Sequence, residues 1–197
     1  YAAVSVPALA HNAHDMLARA NGTTIRVASK SVRVRGVIES VLALPGYHGV
    51  LAYTLAEALW LAETIDDIVV GYPTADRDAL RTLATSETLA RRVTVMVDSV
   101  AQLDLIDAVI APSGREPIRV CLELDASWDS KTIGFTGVFR SPIRTREQAL
   151  LLAYHRTEGA ADSARGQLDR KNGHVRVGAG EPAVDGEVRG VGVAEGS

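Results

Sequence analysis

The stretch Thr24-Ile25-Arg26-Val27-Ala28-Ser29-Lys30 ends a short β-branched and apolar run on a lysine. Its composition and the Asn21-Gly22 pair before it predict a buried strand that follows a turn. Lys30 is one of only three lysines in a chain that otherwise carries its positive charge as arginine. A desolvated lysine can lose its proton and attack an aldehyde, whereas an arginine is too basic to do so. Lys30 is therefore a candidate nucleophile, although the local pattern alone favours a solvated surface charge.

Outward from this stretch, helical patterns alternate with short apolar runs from Pro7 to about Ala153. The intervening segments are long enough for right-handed crossovers, and the runs are nearly continuous, as in a parallel sheet covered on both faces. The pattern predicts an α/β fold with about five parallel strands. An eight-fold βα barrel and an open doubly wound sheet both satisfy it. The predicted strands are 24–29, 49–53, 67–72, 93–98 and 118–125.

The composition changes after Tyr154, which divides the chain into a folded domain over 1–154 and a Gly-rich tail over 155–197. From residue 156 onward there is no Ile, Met, Phe, Trp or Tyr, and Leu168 is the only leucine. Such a segment buries too little apolar surface to offset its ordering entropy, so we predict a disordered tail. No convincing strand follows the predicted helix 145–153. A natural extension and a lost reading frame both explain the tail, and we favour the second.

Bulk properties exclude several classes of protein. A net charge of −3 and a pI near 6.0 provide no basic stripe for nucleic acid, and no apolar run approaches the roughly 20 residues of a membrane span. We expect a cytoplasmic protein.

Cys121 cannot form an internal disulfide and is predicted to be a buried thiol. His11 and His14 lack an evident third metal ligand, so no metal site is predicted. The dinucleotide-binding motif G-x-G-x-x-G does not follow the first strand, and the nucleotide-phosphate motif G-x-x-x-x-G-K-[ST] is absent from the sequence.

Polar residues follow the predicted strands, at the ends that form the site in parallel α/β proteins. This position favours a reactive role for Lys30 more than the local pattern alone does. The other residues keep plain alternatives, since the tyrosines could be rim packing residues, the aspartates could be helix caps, and the arginine could be a surface charge. They are Tyr53, Tyr72, Asp98, Asp125 and Arg140.

Four segments together resemble the N-terminal barrel of the alanine racemase-like, fold-type III pyridoxal phosphate enzymes. Within that family the sequence resembles the branch of the D-threonine aldolases, D-serine dehydratases and related amino acid deaminases. The resemblance runs from about residue 7 to 153 and implies a partial (β/α)8 TIM-type barrel. The segments are Pro7-Ala8-Leu9-Ala10-His11-Asn12, Arg26 to Arg33, Tyr53-Thr54-Leu55-Ala56-Glu57-Ala58 and Gly71-Tyr72-Pro73-Thr74.

The resemblance implies a pyridoxal 5'-phosphate cofactor held by Lys30 as an internal aldimine. Tyr53, Asp125 and Arg140 are the further cofactor-binding candidates, and Arg140 is the nearest match to an arginine beside the cofactor's phenolic oxygen. The implied substrate is a small amino acid, expected to be a D-amino acid, which reacts at Cα by aldolase, dehydratase, deaminase or racemase chemistry. Intact relatives are expected to be homodimers.

Two alternatives remain open. The family binds the cofactor phosphate on loops of late barrel strands, in line with the general phosphate site of such barrels, and those strands are not evident in this sequence. The chain is then either a non-catalytic pyridoxal phosphate-binding protein or an inactive, truncated fragment that lacks the phosphate site.

Overall fold

The computed structural model describes residues 3–111, 114–159, 167–169 and 174–176. Its helices are α1 (Val6–Ala20), α2 (Arg35–Leu42), α3 (Leu55–Leu61), α4 (Arg77–Ala84), α5 (Glu87–Arg92), α6 (Val100–Val109) and α7 (Arg146–Gly159), and a short 3₁₀ helix spans Ser29–Ser31. Its strands are β1 (Ile25–Ala28), β2 (Tyr47–Ala52), β3 (Ile68–Val70), β4 (Val93–Val97), β5 (Arg119–Leu122), β6 (Trp128–Ser130), β7 (Gly134–Thr136), β8 (Gln167–Asp169) and β9 (His174–Arg176).

The strand order decides between the two predicted architectures. Strands β1 to β5 are parallel and lie side by side in the order of the chain. A doubly wound sheet reverses its strand order at a switch point, whereas a barrel adds each strand beside the previous one. The fold is therefore part of a TIM-type barrel, as the resemblance implies.

The core lies between the helices and one face of this sheet. Val27, Val50, Ile68 and Val93 are neighbours across β1 to β4, and the last three are fully buried. Leu61 and Leu83 of the covering helices are also fully buried. Each such side chain stabilises the fold by about 1.5–3 kcal/mol, so this face holds the sheet together. On the opposite face Leu51 is 36% exposed.

The loops that follow β2 and β3 are fixed by helix caps. Thr54 accepts a hydrogen bond from the Glu57 N–H at 3.2 Å, and Asp76 accepts one from Ala79 N–H at 3.0 Å. Both side chains satisfy a backbone donor that the first turn of a helix leaves unpaired. A helical pattern runs on through residues 76–90, but it forms two helices, α4 and α5, because Ser86 caps the second one.

Two hairpins were not anticipated. Strands β6 and β7 pair antiparallel after β5, and β8 and β9 pair antiparallel within the tail. Strand β9 also pairs antiparallel with β5 through Arg119 and Val120, so a strand does follow α7. Most of residues 155–197 lies outside the described residues, and the division at 154 and 155 with its disordered or out-of-frame tail stays a prediction.

Candidate functional site

Lys30 lies in the 3₁₀ helix that directly follows β1, and its side chain is exposed. The carbonyl of Ser29 accepts hydrogen bonds from the N–H groups of Val32 and Arg33, at 3.0 and 2.9 Å. Arg33 then turns with a φ of 47°, a left-handed conformation that is costly for a side chain with a Cβ. No described residue makes a hydrogen bond or ion pair with the Lys30 ammonium. The turn therefore presents an amine that is not already engaged.

A row of aromatic and cationic side chains crosses the carboxyl ends of the strands beside this turn. The Arg33 guanidinium lies 5.2 Å from the centre of the Tyr53 ring, and Tyr53 meets Tyr72 edge to face at 5.4 Å. Arg140 lies 4.8 Å from the centre of the Tyr72 ring. Edge-to-face rings and cations over rings attract through the ring quadrupole. The structure thus brings Tyr53 and Arg140 into one row.

Arg140 is anchored at two further points. Its Nη2 lies 3.0 Å from Glu123 Oε1 and donates a hydrogen bond to the Gly71 carbonyl at 3.3 Å. The Arg140 side chain is still 45% exposed, whereas the Glu123 side chain is 11% exposed. A cation that is fixed in position and half exposed can meet an anionic group of a ligand at this edge.

Asp125 is placed differently from the other predicted residues. Its Oδ1 accepts hydrogen bonds from the Ser127 N–H at 2.9 Å and the Ser127 hydroxyl at 2.5 Å, and its Oδ2 lies 3.1 Å from Arg144 Nη2. The hydrogen bonds from Ser127, chiefly that of the hydroxyl, lower the pKa of Asp125 below its ordinary value. The carboxylate therefore organises its own loop, and its cofactor contact stays a prediction.

Glu57 is a site residue that the sequence analysis missed. Its Oε2 accepts hydrogen bonds from the Ser29 hydroxyl at 3.0 Å and from the Tyr53 N–H at 2.9 Å. Ser29 is fully buried and immediately precedes Lys30. The Thr54-x-x-Glu57 spacing of a capping box was the signal in the sequence, although that motif does not identify Ser29 as a partner.

The opposite ends of the strands carry a second polar cluster. Asp67, just before β3, lies 2.6 Å from Arg26 Nη2, 3.4 Å from His48 Nε2 and 3.8 Å from Arg119 Nη2. A cleft of about 360 Å³ beside it is lined by residues that include Glu39, His48 and Asp67. Lys30 does not line this cleft. Asp67 there pairs with His48, whereas Glu39 accepts a hydrogen bond from the Thr64 hydroxyl.

Two kinds of feature are absent from the described part of the chain. No three His, Cys, Asp or Glu residues there are grouped so that they could hold a metal ion. No helix of that part is long and apolar enough to span a bilayer.

The consecutive strand order and the polar row at the carboxyl ends define a βα-barrel protein with a candidate site at that end. Comparison with known proteins specifies the class further. The model of the family "Alanine racemase, N-terminal domain" matches residues 4–137. The chain belongs to this family, which confirms the resemblance to the fold-type III pyridoxal phosphate enzymes.

A solved relative has the same fold. The chain superposes on the D-threonine aldolase from Filomicrobium marinum with a TM-score of 0.56 and 20% sequence identity. The match covers 81% of this chain and 39% of that aldolase. The chain thus corresponds to well under half of the aldolase's length. No curated protein matches the chain.

Proposed function

We propose that the protein is a pyridoxal phosphate-dependent enzyme that acts at the Cα of amino acids, with Lys30 as the residue that holds the cofactor. The observation that carries the proposal is the exposed Lys30 amine at the carboxyl end of the first barrel strand, with which no described residue pairs. Membership of the alanine racemase N-terminal domain family supports the cofactor class.

The described residues suit the aldehyde and phenol side of this cofactor. Lys30 supplies an exposed amine, and the half-exposed Arg140 supplies a cation for a phenolic oxygen. Tyr53 and Tyr72 are 43% and 37% exposed, so their rings can line one side of a planar ligand. A barrel of this type binds phosphate after its seventh and eighth strands. The five described parallel strands include no counterpart of those loops, so we expect weak binding by the chain as it stands.

The chemistry assigns distinct tasks to these residues. Lys30, once deprotonated, would hold the cofactor covalently through the aldehyde carbon, with loss of one water. When bound, pyridoxal phosphate supplies an electron sink that stabilises a carbanion at Cα of the substrate. Arg140 would hold the phenolic oxygen as an anion, and the tyrosine rings would restrict access of water to the same face.

The finer assignment extends the same proposal. We propose D-amino acids as substrates. The family branch that the sequence resembles and the structurally similar aldolase are both named for D-amino acids. Loss of the Cα proton would give racemase, dehydratase or deaminase chemistry, and cleavage toward the side-chain carbon would give aldolase chemistry. We further propose that the protein forms a homodimer, as is expected of intact relatives.

The test is covalent trapping of the cofactor on the 197-residue chain. The protein is incubated with increasing pyridoxal phosphate, reduced with borohydride and mapped by peptide mass. We expect the adduct on Lys30 at cofactor concentrations that still leave the exposed Lys131 unmodified. Lys30→Ala should abolish that adduct, and its free energy of unfolding should stay within about 0.5 kcal/mol of the parent, since the side chain is exposed.

Lys131→Ala is the matched control, because it also removes an exposed lysine but should leave the Lys30 adduct intact. Equal modification of Lys30 and Lys131 at every cofactor concentration would contradict the proposal. Tight binding would contradict only the expectation that the phosphate contributes little here.

A further inference from the structure

One carboxylate joins three elements beside the Lys30 turn. Glu57 lies in the first turn of α3, and its Oε2 accepts the Ser29 hydroxyl at 3.0 Å and the Tyr53 N–H at 2.9 Å. Ser29 directly follows β1, and Tyr53 directly follows β2. The carboxylate therefore links the ends of two neighbouring strands to a helix.

This arrangement differs from an ordinary helix cap. In a capping box the glutamate at the third helical position accepts the N–H of the capping residue itself, which here would be Thr54. Glu57 instead accepts the N–H of the preceding residue, Tyr53, and a side chain from another strand. A negative charge in the first turn of a helix is stabilised by the helix dipole. The position can thus hold an ionised acceptor for both donors.

The Ser29 hydroxyl fixes the start of the Lys30 turn. It has a single proton, and the Glu57 oxygen at 3.0 Å is a nearer acceptor than the Leu51 carbonyl at 3.4 Å. The Ser29 side chain is fully buried, so loss of this partner would leave a buried polar group poorly satisfied. The rest of the turn is held by backbone hydrogen bonds to the Ser29 carbonyl and ends in the strained conformation of Arg33.

We propose that Glu57 is a positioning residue for Lys30: through Ser29 it fixes the turn from which the lysine side chain departs. Glu57 does not touch the cofactor, and its effect on Lys30 passes through the backbone of residues 29–33. The hydrogen bond from the Tyr53 N–H to the same carboxylate fixes the Tyr53 backbone beside that turn. This inference rests on the proposed function of Lys30.

The test compares Glu57→Ala, Glu57→Gln and Ser29→Ala in the full chain. We expect Glu57→Ala and Ser29→Ala to slow trapping of pyridoxal phosphate on Lys30 about tenfold, the factor for one charge-assisted hydrogen bond. Glu57→Gln keeps a carbonyl oxygen that can accept both donors, so it should stay within about threefold of the parent. Trapping on Lys131 is the internal reference and should not change.

Hydrogen exchange gives a readout that needs no cofactor. Glu57→Ala should raise exchange of the amides of residues 31–33 more than that of the amides in β3 and β4, and Glu57→Gln should not. Glu63→Ala is the matched control, because Glu63 lies just beyond the other end of α3 and pairs with Arg35 at 2.9 Å. If Glu57→Ala fails to fold, Ser29→Ala tests the same hydrogen bond from its other end.

The possible results separate the two proposals. Unchanged trapping and unchanged exchange in Glu57→Ala and Ser29→Ala, with a normal parent, would overturn the positioning role and leave Lys30 in place. Absence of a Lys30 adduct in the parent would overturn the proposed function. In that case a selective rise in exchange at 31–33 would still support Glu57 as the residue that fixes the turn, and no rise would refute it.

Discussion

The charged side chains at the two ends of the parallel strands are paired to different extents. At the amino ends, Asp67 is shared by Arg26, His48 and Arg119 at distances from 2.6 to 3.8 Å. At the carboxyl ends, Lys30 makes no hydrogen bond or ion pair with a described residue, and Arg140 is only partly enclosed. In barrels of this type the amino end contributes stability and the carboxyl end contributes chemistry. The carboxyl end therefore differs in presenting a lysine with which no described residue pairs, and an arginine that is 45% exposed although it pairs with Glu123.

The difference is also visible in what fixes the backbone. The amino-end cluster connects strands directly through ion pairs among residues at or next to their starts. At the carboxyl end, hydrogen bonds from Ser29, Tyr53 and Ser127 to two carboxylates hold the loops, and no described residue pairs with Lys30. We therefore expect substitutions at the two ends to separate stability from cofactor trapping.

The largest expected effect on stability is at the amino end. Asp67→Ala would leave Arg26 and Arg119, whose side chains are 31% and 16% exposed, without their shared carboxylate. We expect a loss of about 2 kcal/mol in the free energy of unfolding, with the Lys30 adduct retained. Denaturant unfolding measures the first and borohydride trapping the second.

Asp15→Ala is the matched control for that change. Asp15 forms an exposed pair with Arg19 at 3.7 Å, and we expect a loss of about 0.3 kcal/mol. If Asp67→Ala costs no more than Asp15→Ala, the amino-end cluster does not stabilise the fold. Loss of the Lys30 adduct in Asp67→Ala would remove the contrast between the two ends.

A smaller effect is expected in the loop after β5, as a dependence on pH. The hydrogen bonds of Ser127 lower the pKa of Asp125, so the ionised form stabilises the folded loop above the ordinary carboxyl pKa. That contribution is lost as the pH falls through the lowered pKa of the folded state. Ser127→Ala removes the largest cause, so the Asp125 pKa should rise and the loop should open at a less acidic pH.

An NMR titration of the Asp125 side chain measures this shift directly. Asp125→Asn serves as the companion variant, because it has no carboxyl to titrate and should lose this part of the pH dependence. An Asp125 pKa that is the same in the parent and in Ser127→Ala would show that the hydroxyl does not stabilise the carboxylate.

The smallest effect concerns Cys121, which lies in β5 between the two ends. Burial raises the pKa of its thiol, so less thiolate is present at neutral pH than in a free thiol. We expect slow alkylation by iodoacetamide in the folded chain, a faster reaction in denaturant, and no change of stability in Cys121→Ser beyond about 1 kcal/mol. A folded-state rate equal to that of a free small-molecule thiol would contradict the interpretation of Cys121 as a structural residue.

Sequence patterns located the strands well because each is a short apolar run in a sheet covered by helices. Lys30 could be singled out for the same reason, since a lysine directly after such a run is unusual in both type and place. The hairpin β6–β7 was not predictable, because Trp128 and Phe135 are exposed and give no burial pattern. The break between α4 and α5 depends on Ser86 acting as a cap within a continuous helical pattern.

The site was harder to predict than the fold. The contact of Glu57 with Ser29 requires that β1 and β2 be adjacent, and a local motif cannot supply that fact. The row from Arg33 to Arg140 depends in the same way on which loops meet at the sheet edge. Asp125 differs, since the partner of its carboxylate is local: Ser127, two residues later, donates a hydrogen bond to it, and its cofactor contact stays a prediction.

The consecutive order of β1 to β5 also bears on how the chain folds during synthesis. Each strand from β2 to β5 pairs with the strand made just before it, so every pairing becomes possible as soon as one further βα unit has left the ribosome. The loop to be closed at each step spans only that unit, which keeps its entropic cost low. The Ser29–Glu57 hydrogen bond closes the first such step, so the turn that carries Lys30 can be fixed before the fifth strand exists.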